Sequence, residues 1–250
     1  MPEIKVSDAL KSKLTRKSKV VVLTGAGISA ESGVPTFRGK GGLWKKFRPE
    51  ELATFDAFMA NPVLVWEWYE YRRKIIREIS PNPGHLALVE FQRFFEDFAL
   101  ITQNVDGLHQ RVGSVDVIEL HGNIARNKCI NCEAKYEILE DLKDEIPPLC
   151  PCGGKIRPDV VWFGETLPEE ALRRASALSS KCDLFFSIGT SAVVHPAASL
   201  PLLAKRNGAY LVEINVERTE ISFISDEILL GKAGEVLPQL VELLETKEKQ

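Results

Sequence analysis

The sequence predicts an α/β fold, in which a doubly wound parallel sheet forms the main domain and a smaller second domain is attached. Three observations support this prediction. Short apolar runs rich in β-branched residues recur along the 250 residues, helical patterns separate most of them, and the first run ends in a glycine loop. Parallel strands need crossover helices, and these helices cover both faces of the sheet.

The predicted elements follow in chain order. An amphipathic helix over residues 7–17 begins with Ser7 or Asp8 as its cap. Predicted strands lie in KVVVLTGAG (19–27), FALITQN (98–104), VDVIELHG (115–122), CDLFFSIGTS (182–191) and AYLVEIN (209–215). Predicted helices lie in 61–79, 169–178 and 197–208, and a last helix starting at residue 235 fades into a charged tail.

Two stretches interrupt the alternation and predict the second domain. Residues 39–80 are rich in aromatics and helix formers without a clear strand, and residues 123–160 hold four cysteines and a proline-rich run. We therefore expect a main domain built from 1–38, 81–122 and 161–250. The helical insertion 39–80 and the cysteine insertion 123–160 would pack together as the small domain.

Composition narrows the function classes. The chain is 44% hydrophobic and 27% charged, which is typical of a globular protein, and its net charge of −3 gives no general attraction to nucleic acid. No apolar run reaches the roughly 18–20 residues that a membrane helix needs, and the N-terminus does not resemble a secretory signal. We expect a cytoplasmic monomer that contacts neither membrane nor nucleic acid directly.

The glycine loop TGAGISAESGVPTFRG follows the first strand and carries the pattern G-x-G-x-x-A at Gly25, Gly27 and Ala30. Such a loop lets a pyrophosphate approach the backbone at a helix N-terminus, although a plain turn is the alternative interpretation. A dehydrogenase would need an acidic second strand about 20 residues further on, and this sequence lacks it. Instead Phe37 and Arg38 follow, which suggests a loop that covers a dinucleotide; Phe37 as a packing residue is the simpler alternative.

The cysteines predict a structural zinc site. Cys129-x-x-Cys132 and Cys150-x-Cys152 are separated by 17 residues, and four thiolates complete a tetrahedral zinc shell without an open position. Free thiols and a redox pair are the alternatives. The acidic segment between the two pairs argues against a zinc ribbon that binds nucleic acid. Cys182 stands alone before an apolar run, which predicts a buried small residue.

Several motifs together resemble one family, the sirtuins, which are NAD-dependent protein lysine deacylases. The similar stretches are GAGISAESGVPTFRG, TQNVDGLH, IELHGN, the four cysteines, IRPDVVWFGE, GTS and INVE, and they follow the family's order from residue 25 to about 217. The resemblance implies a Rossmann-like NAD domain, with the two insertions forming the small domain. NAD as co-substrate and the acyl-lysine of a protein substrate would meet in the cleft between them.

The resemblance also implies roles for individual residues. The glycine loop with Ala26, Phe37 and Arg38 would wrap the pyrophosphate and the nicotinamide ribose. Gln103, Asn104 and Asp106 would line the nicotinamide pocket. The rest of NAD would contact Gly189, Thr190, Ser191, Asn215 and Ala233, and a substrate peptide would add as a strand along Val161, Phe163, Gly164 and Glu165.

In such an enzyme the acyl oxygen attacks the anomeric carbon as nicotinamide leaves, and the products are deacylated lysine, nicotinamide and acyl-ADP-ribose. His121 would act as the general base on the ribose hydroxyls, because a neutral histidine accepts a proton near pH 7. Asn104 and Asp106 would assist in the catalytic pocket. Among the other histidines, His109 is expected to bond locally, and His85 to lie in the first turn of a helix. His195 is expected in a turn near the cofactor.

The segment WEWYEYRRKII bears on the acyl group. Tyr69 and Arg72 are three residues apart on a predicted helix and therefore share a face, although spacing alone favours Arg72 and Arg73 as solvated charges. The resemblance changes that interpretation, because the sirtuins that remove succinyl and malonyl groups have the same Y-x-x-R and a small residue corresponding to Ala53. We expect a succinyl and malonyl preference with some deacetylase activity. An NAD-dependent mono-ADP-ribosyltransferase is the main rival, ahead of an oxidoreductase or a zinc module without catalysis.

Overall fold

The computed structural model describes residues 3–36, 48–137 and 146–248. In this part of the chain six strands form one sheet with the order β3-β2-β1-β7-β8-β9, and every neighbouring pair is parallel. These strands are β1 (Lys19–Thr24), β2 (Asp97–Thr102), β3 (Ile118–Glu119), β7 (Leu184–Ile188), β8 (Tyr210–Asn215) and β9 (Glu227–Leu230). The predicted doubly wound fold is confirmed.

Helices cover both faces of this sheet. They are α1 (Asp8–Lys13), α5 (Pro83–Phe94), α7 (Glu169–Ser179), α8 (Leu200–Arg206) and α9 (Ala233–Glu248). Side chains of β1 alternate between the two layers: Val20 and Val22 pack with α5 and α9 residues, whereas Val21 and Leu23 pack on the opposite face. Apolar burial on both faces is what makes the predicted strands continuously hydrophobic.

The chain order produces a switch point between β1 and β7, where the crossovers change direction. Ligands of doubly wound sheets bind outside the carboxyl ends of the strands at this point. Here the glycine loop follows β1, Gln103 follows β2 and Gly189 follows β7. The fold therefore brings most of the predicted cofactor residues to one edge.

Two further layers lie beside this edge. The helical insertion contains α2 (Pro49–Leu52), α3 (Phe55–Ala60) and α4 (Pro62–Glu78). A separate three-stranded antiparallel sheet is formed by β5 (Lys135–Tyr136), β4 (Gly122–Cys129) and β6 (Ile156–Val160). Arg73 on α4 joins the two, because its Nε donates to the Ile124 carbonyl at 2.6 Å and its Nη2 to Asn127 Oδ1 at 2.5 Å.

Side-chain caps begin several helices, including the predicted cap of the first one. Ser7 caps α1 through a bond from the Leu10 N–H at 3.1 Å, and Asn82 caps α5, with His85 completing a capping box. The short helix α6 (Leu108–Arg111) follows β2, and 3₁₀ turns occupy Ala26–Ser32 and Ala197–Ser199. No helix in the described ranges is both long and apolar enough to cross a membrane.

Several expectations differ from the structure. The predicted strand 115–122 pairs only at Ile118–Glu119, because the chain turns after Leu120 to start β4. The strand β9 and the three-stranded sheet were not predicted, and α9 stays helical through the tail to Glu248. The helix 7–17 ends at Lys13. The exact domain boundaries 39–80 and 123–160 remain predictions.

Candidate active site

A cavity of about 1120 Å³ opens at the carboxyl edge of the parallel sheet, facing the helical insertion and the segment after β6. Most of the predicted site residues lie on its wall, although they come from distant parts of the sequence. They are Gly25, Ala26, Gly27, Ala30, Ala53, Tyr69, Arg72, Gln103, Asn104, His121, Val161, Phe163, Gly164, Glu165, Gly189, Thr190, Ser191, Asn215 and Ala233. Phe37 and Arg38 lie outside the described residues, so their predicted covering role stays a prediction.

The glycine loop packs against the loop that follows β7. The Gly27 N–H donates to the Gly189 carbonyl at 2.8 Å, and a Cβ atom on Gly27 would lie only 2.6 Å from Gly189 Cα. Gly189 itself has φ +59°. Gly27 and Gly189 therefore allow the two loops to pack closely, and we expect the glycine loop also to allow a ligand to approach the backbone. The helix expected after the loop is the 3₁₀ turn Ala26–Ser32.

Two amides fix the floor of the cavity. Gln103 Nε2 donates to Thr190 Oγ1 at 2.9 Å, which ties the end of β2 to the β7 loop. Asn104 Nδ2 donates to the Gly25 carbonyl at 3.1 Å and to Ser29 Oγ at 3.2 Å. Both side chains are thus held with a defined orientation. An amide in a fixed orientation can bind the polar group of a ligand without first losing rotamer freedom.

Asp106 is not one of the residues on the cavity wall in the described structure, in contrast to the expectation. Its carboxylate accepts bonds from Ser29 Oγ at 2.8 Å and from the Leu108 N–H at 3.0 Å. Burial raises the pKa of this carboxyl, and these two donors oppose the rise. Asp106 therefore contacts the cavity residue Asn104 through Ser29, and its carboxylate also interacts electrostatically with Arg72 on the cavity wall.

Two buried histidines lie behind this amide, with ring centroids 5.0 Å apart. His85 Nε2 contacts Ser29 Oγ at 3.3 Å, and His109 Nε2 contacts Thr24 Oγ1 at 3.0 Å. Burial lowers the pKa of His85 to about 4, and burial with the neighbouring His85 lowers that of His109 to about 3. The prediction that His109 bonds locally is wrong, because its partner Thr24 is on β1. His85 lies in the first turn of α5, as predicted.

His121 follows β3 and faces the cavity. Its Nδ1 lies 2.9 Å from the Gln103 carbonyl, which can only accept, so Nδ1 carries the proton and Nε2 is left as the base. Burial lowers the pKa of His121, and the bond to Gln103 partly opposes this. A neutral, oriented imidazole at neutral pH is suited to general-base chemistry. His195 also lines the cavity, and its Nδ1 contacts Ser199 Oγ at 2.9 Å.

The segment Val161–Glu165 lines the cavity, but most of its backbone N–H groups already have partners. The Val161 N–H donates to the His121 carbonyl at 2.9 Å, and the Phe163 N–H to the Ala53 carbonyl at 2.9 Å. The Trp162 N–H donates to the Glu165 carboxylate at 2.8 Å. The predicted substrate strand would therefore need other backbone groups of this segment. Glu165 also forms an ion pair with Arg157.

One end of the cavity is formed by α4 and the segment before α3. Ala53, Tyr69 and Arg72 are 6%, 1% and 8% exposed, and all three line the cavity. The Arg72 guanidinium lies 4.8 Å from the Trp68 ring centroid, and burial lowers its pKa. The interpretation of Arg72 and Arg73 as solvated charges is wrong, since Arg73 is only 7% exposed.

The four predicted zinc ligands meet on the three-stranded sheet. The Sγ atoms of Cys129, Cys132, Cys150 and Cys152 all lie within 4.8 Å of one another. Four ligands at a Zn–S distance of about 2.3 Å in a tetrahedron stand about 3.8 Å apart, so the cluster fits zinc. Gly154 permits the tight approach, because a Cβ there would lie 2.7 Å from Cys129 Sγ. Cys182 is a buried thiol whose pKa burial raises to about 12.

Sequence reasoning missed three functional candidates. Ser29 links Asn104 to Asp106, Trp162 donates to Tyr69 Oη at 2.8 Å, and the buried Glu213 holds the loop after β8. A signal existed for Glu213 alone, since an acid inside the apolar run AYLVEIN needs buried partners. The partners of Trp162 and Ser29 are 93 and 77 residues away in sequence.

Comparison with known proteins agrees with this geometry. Residues 25–196 match the sequence profile of the Sir2 family. NAD-dependent protein deacylase 2 of Pyrobaculum aerophilum is 57% identical over 223 residues, which cover 89% of this chain and 89% of the relative. A solved Sir2 homologue in complex with NAD has a TM-score of 0.88 at 44% identity, covering 99% of this chain and 97% of the other.

A second solved structure, of Sir2 with a p53 peptide and NAD+, has a TM-score of 0.83 at 35% identity, covering 98% of this chain and 100% of the other. The fold and the similar proteins together place this chain in the class of NAD-dependent enzymes. The chain belongs to the Sir2 family, the sirtuins.

Proposed function

We propose that this Sir2-family enzyme, an NAD-dependent protein deacylase, removes succinyl and malonyl groups from lysine and retains some deacetylase activity. One observation carries the proposal: Ala53, Tyr69 and Arg72 line the same cavity as His121. A small side chain leaves room for a longer acyl group, and a buried guanidinium offers several N–H donors to its terminal carboxylate.

NAD would supply the reactive ribose carbon, with nicotinamide as the leaving group. The chain's own residues would orient the reactants: the glycine loop and Gly189 at the phosphates, and Gln103 with Asn104 at the nicotinamide end. His121 would accept a proton at Nε2, because its Nδ1 is bonded to the Gln103 carbonyl. The segment after β6 would hold the protein substrate, so that the acyl-lysine enters between His121 and α4.

The buried Arg72 charge supports an acidic acyl group. A carboxylate entering the cavity beside Arg72 replaces lost hydration with a charge-assisted pair, which is among the stronger hydrogen bonds in proteins. An acetyl group ends in a methyl and offers nothing to these donors. The shorter substrate gains no such pair, and a difference of this kind is how such sites discriminate between substrates.

The test compares succinyl- and acetyl-lysine peptides of the same sequence on Arg72→Met. Losing a buried guanidinium–carboxylate contact should cost about 2–5 kcal/mol for the succinyl substrate, or roughly 30-fold and more in kcat/KM. The acetyl substrate should lose far less. Arg77→Met, an exposed arginine on the same helix, is the matched control and should change neither rate. An equal loss for both peptides would refute the acyl-pocket assignment.

A mono-ADP-ribosyltransferase would use the same cofactor loops and the same leaving group, so nicotinamide release alone does not separate the two activities. Mass analysis of the products does. The deacylase yields free lysine and acyl-ADP-ribose, whereas the transferase yields an ADP-ribosylated protein. We expect the deacylase products, since Ala53, Tyr69 and Arg72 line the same cavity as His121. ADP-ribosylated protein without acyl-ADP-ribose would contradict this expectation.

A further inference from the structure

Trp162 lines the cavity, as Tyr69 and Arg72 do, and is 2% exposed. Its indole N–H donates to Tyr69 Oη at 2.8 Å, between the segment after β6 and the helix α4. The two residues are 93 positions apart, so the bond exists only in the folded chain.

The indole contacts a guanidinium and an aromatic ring as well as Tyr69. The Arg157 guanidinium lies over its face, 3.3 Å from the ring centroid, and Phe58 packs at 5.4 Å between centroids. Arg157 Nη2 also donates to Glu165 at 3.0 Å, and Glu165 in turn accepts the Trp162 backbone N–H. Side chains fixed in this way keep their rotamers, so the direction of the indole N–H is set before any substrate binds.

The bond decides which way the Tyr69 hydroxyl points. An indole N–H only donates, so Tyr69 Oη is the acceptor in this pair, and its own single proton is directed elsewhere. Burial raises the pKa of Tyr69, which keeps that proton in place at neutral pH. Arg72, one helical turn along on the same wall of the cavity, carries only donors.

We propose that Trp162 is a positioning residue that determines acyl specificity, because its N–H fixes the Tyr69 hydroxyl as a donor toward the acyl carboxylate. This inference rests on the proposed succinyl and malonyl preference. Tyrosine and arginine then form a site with donors alone, which suits an acceptor-only carboxylate. Without the indole N–H, the hydroxyl is free to rotate and to act as an acceptor.

The experiment measures kcat/KM for matched succinyl- and acetyl-lysine peptides on Trp162→Phe, Tyr69→Phe and the double variant. Trp162→Phe should lower the succinyl value about three- to tenfold, mainly through KM, while the acetyl value changes less than about twofold. In a protein that already carries Tyr69→Phe, adding Trp162→Phe should not lower the succinyl kcat/KM any further relative to the acetyl value. Trp66→Phe, a buried indole on α4 outside the described cavity wall, should leave the ratio of the two values unchanged.

Because both peptides are measured on one preparation, the ratio does not depend on the folded fraction. If Trp162→Phe does not fold, benzothienylalanine at position 162 keeps the shape of the indole and removes only the donor. If Trp162→Phe leaves the ratio of succinyl to acetyl kcat/KM unchanged, or if its effect adds fully to that of Tyr69→Phe, the inference is overturned. Succinyl turnover by the wild type would still support the proposed function. Absence of succinyl turnover by the wild type overturns both.

Discussion

The carboxylate of Glu213 accepts a hydrogen bond from Thr219 Oγ1 at 2.5 Å, and Ser222 Oγ donates to the same carboxylate at 2.5 Å. Glu213 lies on β8 and is 1% exposed, whereas Thr219 and Ser222 belong to the following loop, which lines the cavity. One buried acid thus fixes the loop that we expect to cover the adenosine half of NAD.

Glu213→Gln should loosen this loop, because an amide oxygen replaces a carboxylate that accepts two hydroxyl bonds. We expect the KM for NAD to rise about three- to tenfold with little change in kcat, together with a stability loss of about 1–2 kcal/mol. Steady-state kinetics at varied NAD and a thermal melt measure the two effects. Glu242→Gln, exposed on α9, is the control. A fall in kcat at unchanged KM would contradict this role for the loop.

The buried histidines predict acid lability. The pKa values of His85 and His109 in the folded state are about 4 and about 3, below the unfolded value of about 6.5. The unfolded chain therefore binds protons first, so their contribution is complete above pH 6.5 and declines as the pH falls toward 4. The decline should approach about 1.4 kcal/mol per pH unit for each histidine.

Denaturant unfolding between pH 7 and pH 5 tests this dependence. His109→Gln should reduce the slope of the unfolding free energy against pH by about the contribution of one histidine, even if the variant is less stable at pH 7. His195→Gln, at an exposed histidine, should leave the slope as in the wild type. If His109→Gln and the wild type lose stability in parallel, the neutral buried pair is not the cause.

His121→Ala should reduce turnover by about 10²–10⁴-fold, because the variant lacks the base near the reacting ribose hydroxyls. The melting temperature and the zinc content should stay close to those of the wild type. In the wild type, kcat/KM should fall on the acid side only below the usual histidine range, since burial lowers the pKa of His121. An acid limb above that range, or activity retained in the alanine variant, would exclude His121 as the base.

Removal of the metal should destabilise the region around the three-stranded sheet. Elemental analysis should find one zinc per chain in the wild type and none in Cys129→Ser, while Cys182→Ser should keep its zinc. Chelation should lower the melting temperature, because structural zinc contributes directly to folding free energy. A metal-free protein that melts at the wild-type temperature would show that the four thiols need no ion.

Sequence alone predicted the parts of the site that follow strands directly, such as Gly25 after β1 and Gln103 after β2, because a doubly wound order brings strand ends together. The cysteine cluster was also predictable, since tetrahedral zinc requires four ligands. Contacts such as Trp162 to Tyr69 were not, because neither residue carries a local signal for the other. The strand β4 was missed because GNIARNKC mixes polar and apolar residues without a regular alternation, although most of its residues are buried in the structure.

Gly27 and Gly189 are in backbone contact, so the two predicted cofactor loops are packed directly against each other. A side chain at either glycine would press against the other loop, so neither position can vary independently. Any redesign of cofactor preference must therefore change residues 25–27 and 189–191 together, so that the two loops still fit against each other.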